Sequence, residues 1–147
     1  MIRYTVNNRN SLLSIPWYVT ILTVADKSCN EDNIAVVDLS SFKFLRSVVI
    51  GNSCFQHVQV FSIVGLNRLE SVSIGTYSFG RDGSLLVESQ FKIVNCPQLK
   101  SLYIGGRTFG GYVGFELSQL PKLQSFVVAS DFSFRNVRKA VFRGMND

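Results

Sequence analysis

A chain of 147 residues that is 46% hydrophobic, 17% charged and 12% aromatic can bury one core and is too short for two domains of ordinary size. No segment approaches the roughly 20 apolar residues of a membrane-spanning helix, since the stretch 15–25 is broken by Thr20 and Thr23. The formal net charge is +5, with an excess toward the end, where Arg135, Arg138, Lys139 and Arg143 stand against Asp147. Residues 1–10 lack the cationic-then-apolar order of a secretory signal. The chain has 18 Val and 12 Phe but only 4 Ala and 4 Glu, a composition that starves helices and feeds strands, so the expected class is mainly β.

Taken in chain order, the predicted elements repeat. A first, degenerate unit is led by Val19 and continues through Leu22 and Val24 to Cys29, with Leu13 in the place of an outer strand. Three further units follow the pattern Leu-x-Ser-apolar-x-Ile-Gly, led by Leu45, Leu69 and Leu99, and each reaches a phenylalanine four residues after the Gly: Phe55, Phe79 and Phe109. A fourth starts at Leu123 and ends on Ala129, with Phe134 one place late. Eight residues before each of these leading leucines stands Val37, Phe61, Phe91 or Phe115, followed two later by Leu39, Ile63, Ile93 or Leu117. The leaders are spaced by 24, 30 and 24 residues, the longer step holding an insertion around Gly80 to Leu86. Ala140, Phe142 and Met145 repeat Phe115, Leu117 and Leu120 at a step displaced by one, opening a truncated further unit.

A unit of about 24 residues with two period-2 patches and no helical periodicity predicts a solenoid with a curved parallel sheet and short extended or irregular return segments. Phe61 comes only six positions after Phe55, too few for an ordinary helix. Residues 1–147 are expected to form a single domain in which Val48, Val72, Leu102 and Phe126 share one inward column. The Gly after each strand is expected to relieve crowding where the backbone leaves the sheet, with a positive φ as one way of doing so.

The segments 45–55, 69–79 and 99–109 resemble leucine-rich repeats, with aliphatics at the first, fourth and sixth places and an apolar eleventh. More narrowly, Ile74-Gly75-Thr76-Tyr77-Ser78-Phe79 and Asn95-Cys96-Pro97-Gln98-Leu99-Lys100-Ser101-Leu102 resemble the surface-antigen-like (BspA-type) repeats. The resemblance covers about 11–145 and implies a right-handed coil whose concave sheet binds proteins. The ninth place, usually Asn in that family, is Ser53, Tyr77, Arg107 and Asp131 here, which argues against a regular asparagine ladder.

Outward positions of the strands define the candidate ligand-binding face: Arg46 and Val49, Glu70 and Ser73, Lys100 and Tyr103, Gln124 and Val127, with the serine column Ser47, Ser71, Ser101 and Ser125 between them. Their variation on a repeating frame suits recognition of another protein, with Tyr103 as the anchor. The insertion, with Arg81, Asp82, Leu85, Leu86 and Val87, is a second candidate contact. Catalysis is not expected: the single His57 lies in a turn without a nucleophile elbow, Gly105-Gly106 and Gly110-Gly111 lack the Lys and helix of a phosphate loop, and the strands carry no paired acids. No cofactor is implied, and Cys29, Cys54 and Cys96 are too dispersed for a metal site; they read as buried free thiols, which favours an intracellular setting. The expected function is a non-catalytic protein-binding scaffold, the alternatives being a structural spacer in a larger repeat protein or a weak binder of anionic polymers through the basic C-terminal end. Nucleic-acid binding is disfavoured for want of interleaved stacking aromatics. The apolar terminal patch at Phe142 and Met145 invites self-association through an uncapped edge.

Overall fold

The computed structural model describes residues 1–79, 89–109, 112–129 and 139–145. In chain order the elements are β1 (Arg3–Val6), α1 (Arg9–Leu13), β2 (Ile21–Val24), β3 (Val36–Asp38), β4 (Ser47–Ile50), β5 (Val60–Val64), β6 (Ser71–Ile74), β7 (Gln90–Val94), β8 (Ser101–Ile104), β9 (Gly114–Leu120), β10 (Ser125–Val128) and β11 (Lys139–Met145). From β2 onward the chain alternates between two parallel sheets, a six-stranded one ordered β1-β2-β4-β6-β8-β10 and a five-stranded one ordered β11-β9-β7-β5-β3. The mainly β expectation holds, and no helix among the described residues is long and apolar enough to cross a membrane.

Register follows the sequence period. Leu22, Val48, Val72, Leu102 and Phe126 are successive pairing partners, and so are Val24, Ile50, Ile74, Ile104 and Val128. In the five-stranded sheet Val37, Phe61, Phe91, Phe115 and Ala140 pair in turn, and the displaced last unit is accommodated as expected, with Phe142 opposite Leu117 and Met145 opposite Leu120. Alternation puts Leu22, Val48, Val72 and Leu102 inside, each at most 1% exposed, but the buried column expected to include Phe126 stops short of it: Phe126 is 38% exposed, on the last strand of its sheet, where all four residues of β10 are exposed. Each fully buried aliphatic or aromatic side chain contributes about 1.5–3 kcal/mol.

Phenylalanines fill the space between the sheets. Phe55, Phe79 and Phe109 stack face to face at centroid distances of 5.2 and 4.5 Å, while Phe61, Phe91 and Phe115 form a second stack at 5.5 and 5.1 Å. The stacks meet edge to face, Phe61 on Phe79 at 5.1 Å and Phe91 on Phe109 at 4.8 Å. Buried Tyr112 joins them and donates its hydroxyl to the Val58 carbonyl at 2.6 Å.

One expectation is corrected and another is met in a different way. Leu13 does not lie on an outer strand: it ends α1, is 66% exposed, and α1 is set by a capping box in which Asn8 and Ser11 satisfy each other's backbone N–H. The glycines after β4, β6 and β8 relieve crowding as expected, though not through positive φ: a Cβ on Gly75 would lie 2.6 Å from the Gly51 carbonyl carbon, and one on Gly105 2.7 Å from that of Gly75. Their role is close stacking of one turn on the next. Left-handed conformations recur instead at the ninth and eleventh places, Lys27 and Cys29, Ser53 and Phe55, Tyr77 and Phe79, Arg107 and Phe109, with φ between 56° and 61°, and occur also at Gly65, Asn95 and Gln119 in or just after the strands of the five-stranded sheet. Such residues normally cost about 1–2 kcal/mol each. Here a hydrogen-bond ladder over-determines them. Ninth-place N–H groups donate forward (Lys27 to Asn52 O, Ser53 to Thr76 O, Tyr77 to Gly106 O), and eleventh-place ones donate back (Phe55 to Ser28 O, Phe79 to Cys54 O, Phe109 to Ser78 O).

Candidate functional site

Because neighbouring strands are parallel and unslipped, residues that face away from the core stand in straight columns on the six-stranded sheet. Val49, Ser73, Tyr103 and Val127 are consecutive partners, extended on the other side by Thr23 and Thr5. Val49, Tyr103 and Val127 are 40%, 44% and 44% exposed, and Ser73 is half-buried between larger neighbours. Arg46, Glu70, Lys100 and Gln124 form a parallel column just before the strands, tied by backbone bonds from Glu70 N–H to Arg46 O, Lys100 N–H to Glu70 O and Gln124 N–H to Lys100 O. Of the eight sequence-predicted residues, Val49, Ser73, Tyr103 and Val127 stand on the sheet face, and Arg46, Glu70, Lys100 and Gln124 form a column at its border, in the turns that lead into the strands. Thr5, Thr23, Arg3 and Ile21 belong to the face too; β1 carries too little of the repeat to be recognised from its sequence.

The charges on this face alternate along the stack. The Arg46 guanidinium donates to Glu70 Oε2 from Nη2 at 2.9 Å and from Nε at 3.2 Å, with both side chains roughly half exposed, a pair worth about 0–1 kcal/mol. Between the two columns Ser71 Oγ donates to Ser47 Oγ at 3.3 Å, so part of the serine column is engaged with itself.

A second polar feature lies under the turns that leave this sheet. The residue before each eleventh place is Ser28, Cys54, Ser78 or Thr108, all buried. Cys54 Sγ donates to Ala25 O, Ser78 Oγ to Gly51 O at 3.0 Å and Thr108 Oγ1 to Gly75 O at 2.9 Å, each satisfying the carbonyl after the strand one rung earlier. Ser78 Oγ also accepts the Cys54 N–H at 3.1 Å. The recurring small hydroxyl or thiol immediately before Cys29, Phe55, Phe79 and Phe109 was the sequence signal for this ladder. Asp26 and Asn52 add a shorter one at the eighth place, accepting from the N–H groups of Asn52 and Thr76.

The three cysteines are buried and free. Burial pushes the Cys29 thiol up to about 12, reinforced by the nearby Glu31 carboxylate, and burial likewise raises Cys54 and Cys96. Thiols held protonated in this way are poor nucleophiles. His57 is exposed in its turn, and among the described residues no three His, Cys, Asp or Glu side chains gather into a metal-binding group. The insertion residues Arg81, Asp82, Leu85, Leu86 and Val87 lie outside the described residues, as do Asp131, Phe134, Arg135 and Arg138; Lys139 and Arg143 fall on β11. No known protein family, curated protein or solved structure matches this chain.

Proposed function

We propose that the chain is a leucine-rich-repeat solenoid of the BspA-like type that acts without catalysis as a protein-recognition scaffold, using the outer face of its six-stranded sheet. The observation carrying this reading is the contrast along β4, β6 and β8: buried, near-identical inward columns beside an accessible face that changes from Arg46 to Glu70 to Lys100 and from Val49 to Ser73 to Tyr103. A uniform frame bearing a non-uniform surface is what selective recognition needs, and Tyr103 supplies large contact area with a polar tip at low entropic cost. A photo-crosslinking residue at Tyr103 should capture a discrete partner that the same probe at Lys92, on the opposite sheet, does not, and Lys100→Glu should abolish the product. Equal capture from both positions, or none from Tyr103, would contradict the proposal.

A spacer role in a larger repeat protein is the second reading. It is favoured by the self-engagement of the face through Arg46 with Glu70 and Ser47 with Ser71. Deleting one 24-residue unit would then change only spacing, whereas a recognition scaffold would lose its ligand.

A further inference from the structure

The turns that lead from the five-stranded sheet, or from α1, into the six-stranded one form a continuous edge of the molecule. Its residues come from 14–20, 39–46, 65–70, 95–100 and 121–124, all among the described residues. This edge carries Lys43, Arg46, Arg68, Lys100 and Lys122 against the single carboxylate Glu70, which Arg46 already holds. On the opposite edge the described residues reverse the balance, with Asp26, Glu31 and Asp32 against Lys27 and Arg107. The charge is therefore segregated by edge, although nothing in the packing of the core requires it.

One end of the basic edge is aromatic. Trp17 is 67% exposed, meets Tyr18 edge-on at 5.2 Å and leans on Phe44 at 5.8 Å, while the Arg68 guanidinium covers the Phe44 ring at 4.8 Å. Further along, Lys122 Nζ donates to Gln98 Oε1 at 3.0 Å, holding its ammonium along the edge. Trp, Tyr and Arg side by side are the residue types that dominate binding energy at protein interfaces. The rings are packed on one another and the Phe44 face is taken by Arg68, so they present an apolar knob instead of the open stacking platforms that single-stranded nucleic acids use.

We propose that this edge docks an acidic, extended polypeptide segment, whose carboxylates meet Lys43, Arg68 and Lys122 and whose apolar side chains pack on Trp17 and Tyr18. The edge adjoins the sheet face and shares Arg46, Glu70 and Lys100 with it, but the residues that would meet the segment lie outside that face, so the inference does not depend on it. Rungs spaced about 4.8 Å apart present the cations at intervals that an extended chain, rising about 3.3 Å per residue, matches with carboxylates at every first or second position.

The test is fluorescence anisotropy of the full chain with a labelled (Asp-Glu-Leu)5 peptide, its neutral counterpart (Asn-Gln-Leu)5, and 15-nucleotide oligo-dT and oligo-U. The acidic peptide is expected to bind saturably and at least about tenfold more tightly than the other three, weakening as salt rises from about 50 to 500 mM. The combined change Lys43→Gln, Arg68→Gln and Lys122→Gln should weaken it at least about tenfold, and Trp17→Ala about fivefold. The charge-matched change Lys27→Gln, Lys92→Gln and Arg107→Gln should stay within about threefold, as should Tyr103→Ala, which disables the sheet face instead. Circular dichroism checks each fold, and the three single substitutions replace the triple one if it is unfolded. Equal losses from the two triple variants, no saturable peptide binding, or oligonucleotides binding as tightly as the peptide would each overturn the proposal.

Discussion

Phe79 offers the sharpest test of the interior. It is fully buried, stacks on Phe55 and Phe109, and receives Phe61 edge-on and Tyr112 at 6.4 Å. Truncating it to Ala removes a complete ring from the middle of the stack, where the paired sheets on either side leave little room to collapse. A buried Phe→Ala change costs about 3–5 kcal/mol, and the loss of ring pairs worth about 0.5–1.5 kcal/mol each places this site at the upper end. The backbone adds a second, independent sign. Phe79 sits at φ 61°, a conformation that Ala tolerates as poorly as Phe does and that Gly adopts freely. Phe79→Gly should therefore be about 1 kcal/mol less destabilising than Phe79→Ala, the reverse of the usual order in a strand or helix. Urea unfolding followed by circular dichroism measures both; with a slope of about 2 kcal/mol per molar, the Ala variant should lose about 2 M in midpoint. A loss below about 1 kcal/mol for Ala would refute the stack, and a Gly variant less stable than the Ala one would refute the left-handed turn.

Gly75→Ala should destabilise by about 1–3 kcal/mol in the same assay, because its methyl would meet the Gly51 backbone, which cannot swing aside as a flexible side chain could. Ser78→Ala leaves the Gly51 carbonyl and the Cys54 N–H without their buried partner and should cost about 1–3 kcal/mol, whereas Thr108→Ser keeps its bond to Gly75 O and should cost only the lost buried methyl, about 1 kcal/mol, by thermal melting. The raised Cys29 thiol sets a pH dependence. Its folded value of about 12 exceeds the ordinary 9.0, so the folded state holds its proton more tightly. The associated stability is complete below pH 9 and is lost progressively as the pH rises toward 12; Cys29→Ala should flatten that decline in urea midpoints measured from pH 7 to 11. Removing the Arg46 pair with Glu70→Gln should change stability by less than about 1 kcal/mol, since both groups are well solvated.

The register was legible because parallel stacking forces like positions onto like positions, so a period in sequence becomes a column in space. Leu45, Leu69, Leu99 and their fourth- and sixth-place partners mark that period directly, and Val49, Ser73, Tyr103 and Val127 follow by alternation, whereas Arg46, Glu70, Lys100 and Gln124 precede the strands and are placed by the turns. What the pattern hid has physical causes. β1 went unseen because its segment Arg3–Val6 offers one alternation, precedes Asn7 where the later units have Gly or Ala, and is followed by α1 in place of a strand; Leu13, read as a strand residue, belongs to that helix. Left-handed backbone at Phe55, Phe79 and Phe109 has no local signature, since it is imposed by hydrogen bonds from adjacent rungs. The basic edge escaped notice because Lys43, Arg68 and Lys122 stand at slightly different offsets from their leading leucines in an unremarkable background of charge, and only the fold gathers them on one side.

The in-register stack can be probed directly by disulfide trapping. Ser73 and Tyr103 are 30 residues apart yet opposite each other on adjacent strands, as are Val49 and Ser73, whereas Val49 and Tyr103 are two strands apart. At an interstrand spacing of about 4.8 Å the adjacent pairs fall within disulfide reach and the third, at about 9.6 Å, does not. Cysteines introduced at 49 and 73, or at 73 and 103, should cross-link under mild oxidation, with mass spectrometry separating these bridges from the buried native thiols, while the pair at 49 and 103 stays reduced. Trapping of 49 with 103, or failure of 73 with 103, would show that the strands across the insertion do not stack as described and would remove the shared face with them.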